Sequence, residues 1–311
     1  MAGLMSGMKS ATFWGAIVVA LAGVSPLCHA AGTIQGASSW GYQLQNADPA
    51  TLAASSYDVI VMDYSRDGTD DAAYTREEIQ SIKDAGKTVL AYLSIGEAED
   101  YRFYWKPAFR PGSPSWLGPE NPEWEGNYKV RYWQSGWWRI ALRPYLERIL
   151  AAGFDGVYMD IIDAYWYWHE EKRMAVGLTS NRMVDLVAKI AGLARASSPG
   201  FILCPQNGES ILDDAPSTRV RKRYLKVIDA IGVEDLFYHY GSIQDRKYRM
   251  GLLGEYAGAG KKVFNVEYVP RRGWEAYRSA ACAVPFGMVP YAAETDRALD
   301  ELVDFPRLEC P

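Results

Sequence analysis

Short apolar runs of strand length recur along this chain, and each stops at polar residues, glycine or proline. Runs of about four to eight aliphatic, β-branched and aromatic residues are typical of strands that are buried on both faces, as in a parallel sheet. Eight such runs can be identified: Gly41–Leu44, Val59–Tyr64, Thr88–Ser94, Val157–Asp160, Phe201–Pro205, Ile231–Asp235, Lys262–Tyr268 and Pro285–Tyr291.

Helical periodicity fills most of the intervals between these runs. Apolar residues recur at helical spacing from Trp138 to Ala152, before the helix-ending Gly153, and again from Asn181 to Ala196. Shorter helices are predicted at Arg76–Lys83, Arg221–Asp229, Gly251–Ala257 and Trp274–Ala283. Alternating strands and helices imply parallel pairing, and eight such units predict an α/β fold of the (β/α)8 TIM-type barrel class. An open doubly wound sheet is the alternative, but no Gly-x-Gly-x-x-Gly follows the first run.

One connection, the one after the third strand, is far longer than the others. Between Ser94 and Trp138, six tryptophans are interleaved with five prolines, and proline excludes a single continuous helix. The barrel is therefore predicted to carry a long Trp/Pro-rich insertion at this point. Two interpretations of its tryptophans stay open: they pack within a structural excursion, or they offer flat aromatic platforms to sugar rings.

The first thirty residues are predicted to be a signal peptide rather than part of the fold. Residues 11–24 form an apolar run without charge, preceded by Lys9 and followed by small residues at Cys28 and Ala30. This run is short for a membrane span and suits cleavage before Ala31, although an uncleaved anchor is the alternative. We therefore expect residues 31–311 to form one large α/β domain that is secreted or periplasmic, with no membrane partner after cleavage.

Charge and the rarer residue types exclude several classes of function. The formal net charge is −5, or −6 once Lys9 is removed, so a nucleic-acid partner is not expected. After residue 30 only His169 and His239 remain, which argues against a zinc site and a Ser-His-Asp triad. Among the cysteines, Cys204 lies in an apolar run and is expected to be an inert core residue, whereas a bridge between Cys282 and Cys310 could hold the C-terminus.

Polar side chains stand at the ends of most of the predicted strands. Asp160 ends the fourth run and Asp163 follows three residues later; helix capping is the alternative role for either carboxylate. Comparable strand-end residues are Asp63, Glu97, Asn207, Glu234, Glu267 and Tyr291. In a barrel the carboxyl ends of all the strands meet at one rim, where active sites lie. We therefore expect a cup lined by carboxylates, with amide and phenol donors.

Such a cup is compatible with two chemistries. A pair of carboxylates can cleave a glycosidic bond, one acting as proton donor and the other as nucleophile or base. Three or more carboxylates can instead hold Mg²⁺, but barrels of that type also need a lysine or histidine base. No lysine lies at the rim end of the predicted strands, since Lys262 begins its run. We therefore expect neither a metal site nor a cofactor.

Several motifs resemble those of glycoside hydrolase family 114, the endo-α-1,4-polygalactosaminidases. The strongest are the segment Gly153–Asp163 and the segment Val233–Tyr238; the segment Tyr92–Glu99 and the Gln206-Asn207-Gly208 motif agree as well. The resemblance runs in order from about Trp40 to Leu302. It implies a barrel enzyme that hydrolyses α-1,4-linked galactosamine, partly N-acetylated, in an exopolysaccharide. An acidic cup suits such a partly cationic polymer.

The same resemblance implies the roles of individual residues. Asp160 and Glu234 correspond to the catalytic pair, and we assign Asp160 as nucleophile and Glu234 as general acid/base in a retaining mechanism, with the exchanged assignment still open. Substrate positioning falls to Asp63, Glu97, Asp163, Asn207, Glu267 and Tyr291; struts that support the rim are the alternative for these residues. A catalytically inert carbohydrate-binding barrel is the alternative for the whole protein.

Overall fold

The computed structural model describes residues 34–239 and 241–306. Eight parallel strands form the centre: β1 (Trp40–Tyr42), β2 (Val59–Met62), β3 (Thr88–Ser94), β7 (Gly156–Asp160), β8 (Ile202–Pro205), β9 (Ala230–Glu234), β10 (Lys262–Tyr268) and β11 (Val289–Ala293). Every strand that the apolar runs predict is present. The largest difference is at β11, which starts four residues later than predicted and extends two residues beyond Tyr291.

The strands pair in chain order, as a (β/α)8 barrel requires. One ladder has the order β1-β2-β3-β7-β8, and the second has the order β11-β10-β9. A parallel bridge between Gln206 and Gly232 connects the two ladders. On the opposite side, the Trp40 indole N–H donates to the Val289 carbonyl at 3.0 Å, which links β1 to β11. The predicted TIM-type α/β architecture is confirmed.

Helices cover the connections between the strands. They are α1 (Pro49–Ala54), α2 (Arg76–Asp84), α3 (Ser135–Trp137), α4 (Arg143–Ala152), α5 (Ala164–Glu170), α6 (Val176–Ser197), α7 (Ile211–Asp214), α8 (Thr218–Val227), α9 (Ile243–Gly258) and α10 (Trp274–Cys282), with a π-helical turn at Trp138–Leu142 and 3-10 turns at Ile34–Gly36 and Arg271–Gly273. Gly153 ends α4 in the left-handed conformation, with φ of 86°, as the sequence predicts.

The helix α9 is longer than the sequence pattern indicates. It begins at Ile243, eight residues before the predicted start at Gly251, because Ser242 caps it by accepting a hydrogen bond from the Asp245 amide at 3.0 Å. The short helices α1, α5 and α7 were not predicted at all. They are one or two turns long, and apolar periodicity cannot develop over so few residues.

Aromatic side chains fill the inside of the barrel. Trp40 lies at the centre, with ring centroids 5.8 Å from Tyr158, 5.2 Å from Phe264 and 5.8 Å from Tyr291. Tyr42 packs on the same group, 5.3 Å from Tyr158. Inward-facing positions alternate along a strand, so the next inward position above Tyr158 is Asp160. The aromatic layer is therefore the floor beneath the rim.

The insertion after β3 forms a small antiparallel sheet of its own. Its strands are β4 (Glu97–Glu99), β5 (Leu117–Asn121) and β6 (Trp124–Val130), in the order β4-β6-β5. Trp116 and Trp137 are buried against each other, with centroids 5.1 Å apart. Trp124, in contrast, is 53% exposed. The insertion therefore uses some tryptophans as core and presents at least one to solvent.

Two further expectations concern the cysteines and the ends of the chain. Cys204 is a buried free thiol, and burial raises its pKa, in agreement with an inert core residue. Cys282 is disulfide-bonded, while Cys310 lies outside the described residues. The predicted signal peptide also lies outside them. Within the described ranges, no helix has the length and apolar character needed to span a membrane.

Candidate active site

Side chains from five parallel strands converge at the carboxyl end of the barrel. Asp160 ends β7 and Glu234 ends β9, with β8 between them. Both carboxylates are half-buried. The two are close enough that the charge of Glu234 contributes to raising the pKa of Asp160. The two strongest sequence motifs therefore deliver one pair of carboxylates to one place.

Asp160 is held by donors on both of its oxygens. The Ile161 amide donates to Oδ1 at 2.7 Å, and the Tyr92 phenol of the neighbouring strand β3 donates to Oδ2 at 2.9 Å. Ile161 itself adopts a left-handed backbone, with φ of 58°, where the chain leaves β7. Burial, and then the charge of Glu234, raise the pKa of Asp160 well above its ordinary value, although the two donors oppose the shift.

Glu234 is held in the same way by two different groups. The Tyr268 phenol at the end of β10 donates to Oε1, and the Asn207 side-chain amide donates to Oε2 at 2.9 Å. Asn207 also accepts from the Glu234 backbone N–H at 3.0 Å, so that it fixes both the main chain and the carboxylate. Neither carboxylate can rotate without losing a phenol and a second donor, which preorganises the pair.

The floor beneath the pair depends on one glycine. Gly232 lies two residues before Glu234 on β9, and its α-carbon faces the phenol of Tyr158. A Cβ at this position would overlap the Tyr158 hydroxyl and would lie 2.6 Å from Cζ. Close packing of this ring against bare backbone therefore sets the height at which Glu234 emerges from the barrel. Gln206, which accepts from the Tyr42 phenol at 3.2 Å, closes the floor beside β8.

A cleft of about 360 Å³ opens beside Glu234. Its walls include Asp163, Trp166, Asp245 and Tyr248. Although Asp163 is exposed to the cleft, the surrounding protein restricts its hydration and raises its pKa to about 6; nearby Lys129 opposes this shift and Glu97 adds to it. The cleft thus combines aromatic surface with carboxylates, and it can accept a sugar chain next to the pair.

Asp63 and Glu97 lie at the rim, but protein cations hold them. Arg102, which the insertion supplies and which is only 1% exposed, pairs with Asp63 at 2.7 Å and with Glu99 at 2.7 Å. Lys129, also from the insertion, pairs with the buried Glu97. Both carboxylates therefore have structural roles: the Asp63–Arg102 pair fastens the insertion to the barrel, and the Glu97–Lys129 pair joins β4 to β6 within the insertion sheet.

Glu267 is a strut as well. Its buried carboxylate accepts three backbone N–H groups from the loop after β9, those of Leu236 at 2.7 Å, Phe237 at 2.8 Å and Tyr238 at 3.1 Å. Burial raises the pKa of Glu267, and these hydrogen bonds oppose the shift. The residue shapes the loop that follows Glu234 and does not face the cleft.

The prediction that Tyr291 lies at the rim is wrong. The apolar run continues through Ala292 and Ala293, so Tyr291 falls in the middle of β11 rather than at its end. Its side chain is fully buried, its oxygen accepts the Val303 amide at 3.0 Å, and its ring meets Tyr57 edge-on at 5.6 Å. Tyr291 is a core residue of the barrel.

Within residues 34–239 and 241–306, no three histidine, cysteine, aspartate or glutamate side chains come together as a metal ion would need. The rim carboxylates point to protein donors instead: Asp63 to Arg102, Glu97 to Lys129 and Glu267 to backbone amides. Asp163 remains exposed to the cleft, and Asp160 and Glu234 form a pair of carboxylates, which is the arrangement that glycoside hydrolysis needs.

Sequence reasoning missed the phenols and arginines of the rim. Tyr92 and Tyr268 each contact one member of the pair, and Arg249 donates to the Glu234 carbonyl at 3.0 Å. Both tyrosines lie in segments already singled out for their acidic residues, and strand parity could have identified Tyr92, whose register partner is Tyr158. No comparable signal exists for Arg249, which reaches the rim from helix α9.

Comparison with known proteins agrees with this geometry. The family model described as glycoside-hydrolase family GH114 matches residues 26–309. An uncharacterized protein of Methanocaldococcus jannaschii is 40% identical over 274 residues, covering 85% of this chain and 77% of that protein. An uncharacterized protein of Thermotoga maritima is 37% identical over 274 residues, covering 85% of this chain and 83% of that protein. The glycoside hydrolase domain of PelA from Pseudomonas aeruginosa shares the fold, with a TM-score of 0.63 and 20% identity over 86% of this chain and 98% of that domain.

Proposed function

Because the chain belongs to glycoside hydrolase family GH114, we propose that it hydrolyses α-1,4-linked galactosamine polymers, partly N-acetylated, with Asp160 and Glu234 as its catalytic pair. The observation that carries the proposal is the placement of these two carboxylates. They end two strands of one rim, and each is fixed by a phenol, Tyr92 for Asp160 and Tyr268 for Glu234.

The proposed reaction proceeds by double displacement. Asp160 attacks the anomeric carbon while Glu234 gives its proton to the departing glycosidic oxygen, which yields a glycosyl ester of Asp160. Glu234 then takes a proton from water, and the resulting hydroxide breaks the ester and restores both carboxyl groups. Burial, and then the charge of Glu234, raise the pKa of Asp160, which makes Asp160 as proton donor and Glu234 as nucleophile the alternative assignment of the two roles.

The cleft favours a substrate that carries amino groups. Asp163 and Asp245 line it beside Glu234, and Trp166 contributes an aromatic wall. A protonated galactosamine ring presents a cation to such carboxylates and an apolar face to such a wall. A fully acetylated polymer offers these carboxylates no cation. We therefore propose the partly deacetylated polymer as the preferred substrate.

Export completes the proposal. The polymer lies outside the cytoplasm, and residues 1–30 have the charge and hydropathy pattern of a signal peptide. We propose a secreted or periplasmic enzyme whose N-terminus is at Ala31, within a residue or two. Intact mass of the protein recovered from the periplasm or the medium tests this, and a mature chain that retains residues 14–24 would contradict it.

The function itself is tested by release of reducing ends from a partly deacetylated galactosamine polymer, in buffer with and without a chelator. We expect release that survives chelation and that is slower on the fully acetylated polymer. Loss of release under chelation would instead indicate a metal-dependent enzyme. Tight binding without any release, from a protein shown to be folded, would indicate a carbohydrate-binding barrel.

A further inference from the structure

The small sheet of the insertion has two faces with different roles. On one face, Glu97 of β4 pairs with Lys129 of β6, and Glu99 pairs with Arg102, which also pairs with Asp63 of the barrel. Successive side chains of a strand point to opposite faces, so Ala98 and its register partner Tyr128 belong to the other face. We call it the outer face: Ala98 is fully buried on it, and its hairpin end at Trp124 is exposed.

Two aromatic side chains stand on the outer face with a gap between them. Trp124 begins β6 at the hairpin and is 53% exposed. Tyr128, four residues later, is half-buried against Trp105, with ring centroids 4.8 Å apart. Gly126 lies between the two and has no side chain to fill the gap. Asp100 occupies it instead, with Oδ1 2.8 Å from where a Cβ on Gly126 would be.

Four carboxylates lie in this part of the insertion, three on the hairpin of β5 and β6 and one directly after β4. They belong to Asp100, Glu120, Glu123 and Glu125, and we refer to them together with Trp124 and Tyr128 as the hairpin surface. The carboxylates of Glu120, Asp100 and Glu125 lie near enough to the Tyr128 phenol to add to the effect of burial in raising its pKa. Two cations of the insertion, Arg102 and Lys129, are engaged on the other face. Over the part of the chain that the structure describes, none of these four carboxylates has a lysine or arginine within ion-pair distance.

We propose that the hairpin surface is a second carbohydrate-binding site, outside the catalytic cleft, for a polysaccharide that carries amino groups. The apolar face of a pyranose ring stacks on an exposed tryptophan, and protonated amines supply the cations that the four carboxylates lack. A neutral polysaccharide would leave these carboxylates unpaired, and a uronic acid would be repelled. The chemistry of the surface therefore selects an amino sugar.

This inference deepens the proposed function and rests on it. Carboxylates in the cleft and on the hairpin surface complement the same cationic chain, and an endo-acting enzyme gains from holding that chain at two places, because the second contact becomes intramolecular. The occupant is defined by its amines and its pyranose rings, so chitosan, a glucosamine polymer, probes the same surface even if the natural linkage or sugar differs.

The test measures binding in a background that cannot cleave. In full-length protein carrying Glu234→Gln, titration calorimetry with a partly deacetylated galactosamine polymer and with chitosan gives the dissociation constant. We expect Trp124→Ala to weaken binding by about tenfold. The double variant Glu123→Gln with Glu125→Gln should weaken binding by a similar factor and make it less dependent on salt concentration. The exposed pair Glu77→Gln with Glu275→Gln, which removes the same charge elsewhere, should bind as the background does.

Three outcomes would overturn the inference. One is binding by the Trp124→Ala variant that stays within about twofold of the background while its melting temperature is unchanged. Another is equal binding of fully N-acetylated polymer, because the carboxylates would then have no role. The third is that the variants of the hairpin surface lose binding to a lysine oligomer but keep their binding to the polysaccharides. That result would indicate a basic protein partner. The two proposals can fail separately. If binding depends on Trp124 but the unsubstituted protein releases no reducing ends, the proposed function is contradicted and the binding role of the hairpin surface still holds.

Discussion

The phenol of Tyr92 on β3 donates a hydrogen bond of 2.9 Å to Oδ2 of Asp160 on the adjacent strand β7. This bond is made to the ionised carboxylate and so lowers the pKa of Asp160, against the larger raising effects of burial and Glu234. The phenol therefore adjusts the pH at which the proposed nucleophile becomes available, in addition to fixing its orientation.

Replacing Tyr92 with phenylalanine tests this relationship. Without the donor the pKa of Asp160 rises further, so the acidic limb of the pH profile of kcat/KM should move to higher pH. We also expect kcat/KM at its optimum to fall by about tenfold, because one hydrogen bond to a charged group is lost. The pH dependence of reducing-end release measures both effects.

Tyr132→Phe is the matched control for this change. Its phenol is buried and donates to the Thr179 carbonyl at 2.9 Å, at a distance from the pair. This variant should lose a similar amount of stability and keep the acidic limb where it is. A Tyr92→Phe profile that superimposes on the unsubstituted profile would show that the phenol does not influence the ionisation on which activity depends.

Gly232 gives the second prediction. A methyl group at this position would collide with the Tyr158 ring below Glu234, and overpacking of this kind costs about 1–3 kcal/mol or more. Gly232→Ala should therefore lower the unfolding free energy and also reduce kcat, because the strand that carries Glu234 must shift. Urea denaturation and polymer turnover measure the two effects.

A substitution at a second glycine serves as the control, because it adds the same methyl group where no collision occurs. Gly192 lies exposed in helix α6, and a Cβ there would meet nothing within 4 Å. Gly192→Ala should therefore stabilise the protein by about 0.5–1 kcal/mol, the usual advantage of alanine over glycine in a helix. If Gly232→Ala gave a similar gain, the description of the barrel floor would be wrong.

The fold could be predicted from the sequence because its signals are local. Each apolar run and each helical stripe is one short contiguous segment, and the strand-end position of Asp160 and Glu234 can be inferred from where the runs stop. The same criterion gave the wrong position for Tyr291. Its run continues through Ala292 and Ala293, and alanine does not mark the end of a strand.

The contacts of the rim could not be predicted, since they join distant parts of the chain. Tyr92 and Asp160 are 68 residues apart, and Asn207 and Glu234 are 27 apart. Arg102 is one of many arginines in the sequence, and nothing near it indicates that it would be buried between Asp63 and Glu99. Such pairings depend on barrel closure and on the path of the insertion, which strand periodicity does not encode.

Arg102 provides the third prediction. Its guanidinium is 1% exposed and pairs with two buried carboxylates, so Arg102→Met would leave Asp63 and Glu99 buried without a counter-ion. Breaking one side of a buried ion pair costs about 3–5 kcal/mol. We expect a loss of unfolding free energy of this size, measured by urea denaturation, together with loosening of the insertion that makes it sensitive to proteolysis.

The exposed pair Arg143–Glu147 serves as the control. Its side chains are 57% and 50% exposed, and Arg143→Met should change the unfolding free energy by about 0.5 kcal/mol or less. Equal losses in the two arginine variants would mean that Arg102 does not hold the insertion to the barrel.

The last prediction concerns the catalytic pair itself. Asp160→Asn and Glu234→Gln preserve side-chain volume, so each variant should remain folded and bind polymer while turnover of the polymer is lost. With an aryl glycoside whose leaving group needs no protonation, the Glu234→Gln variant should still form the glycosyl ester of Asp160 and then stall. Azide should rescue this variant, because the anion attacks the anomeric carbon, releases the Asp160 carboxylate and yields a glycosyl azide of retained configuration.

Azide should not restore the retained product in the Asp160→Asn variant, since no ester forms for the anion to attack. Rescue of Asp160→Asn with retention, and none of Glu234→Gln, would exchange the two roles. NMR of the first-formed product from the unsubstituted enzyme determines the stereochemistry independently. Retention requires carboxyl groups about 5–5.5 Å apart and inversion about 6.5–9.5 Å, because inversion must admit a water molecule between carboxylate and sugar. An inverted product would therefore remove the covalent intermediate, while near-normal turnover in either variant would remove that residue from the mechanism.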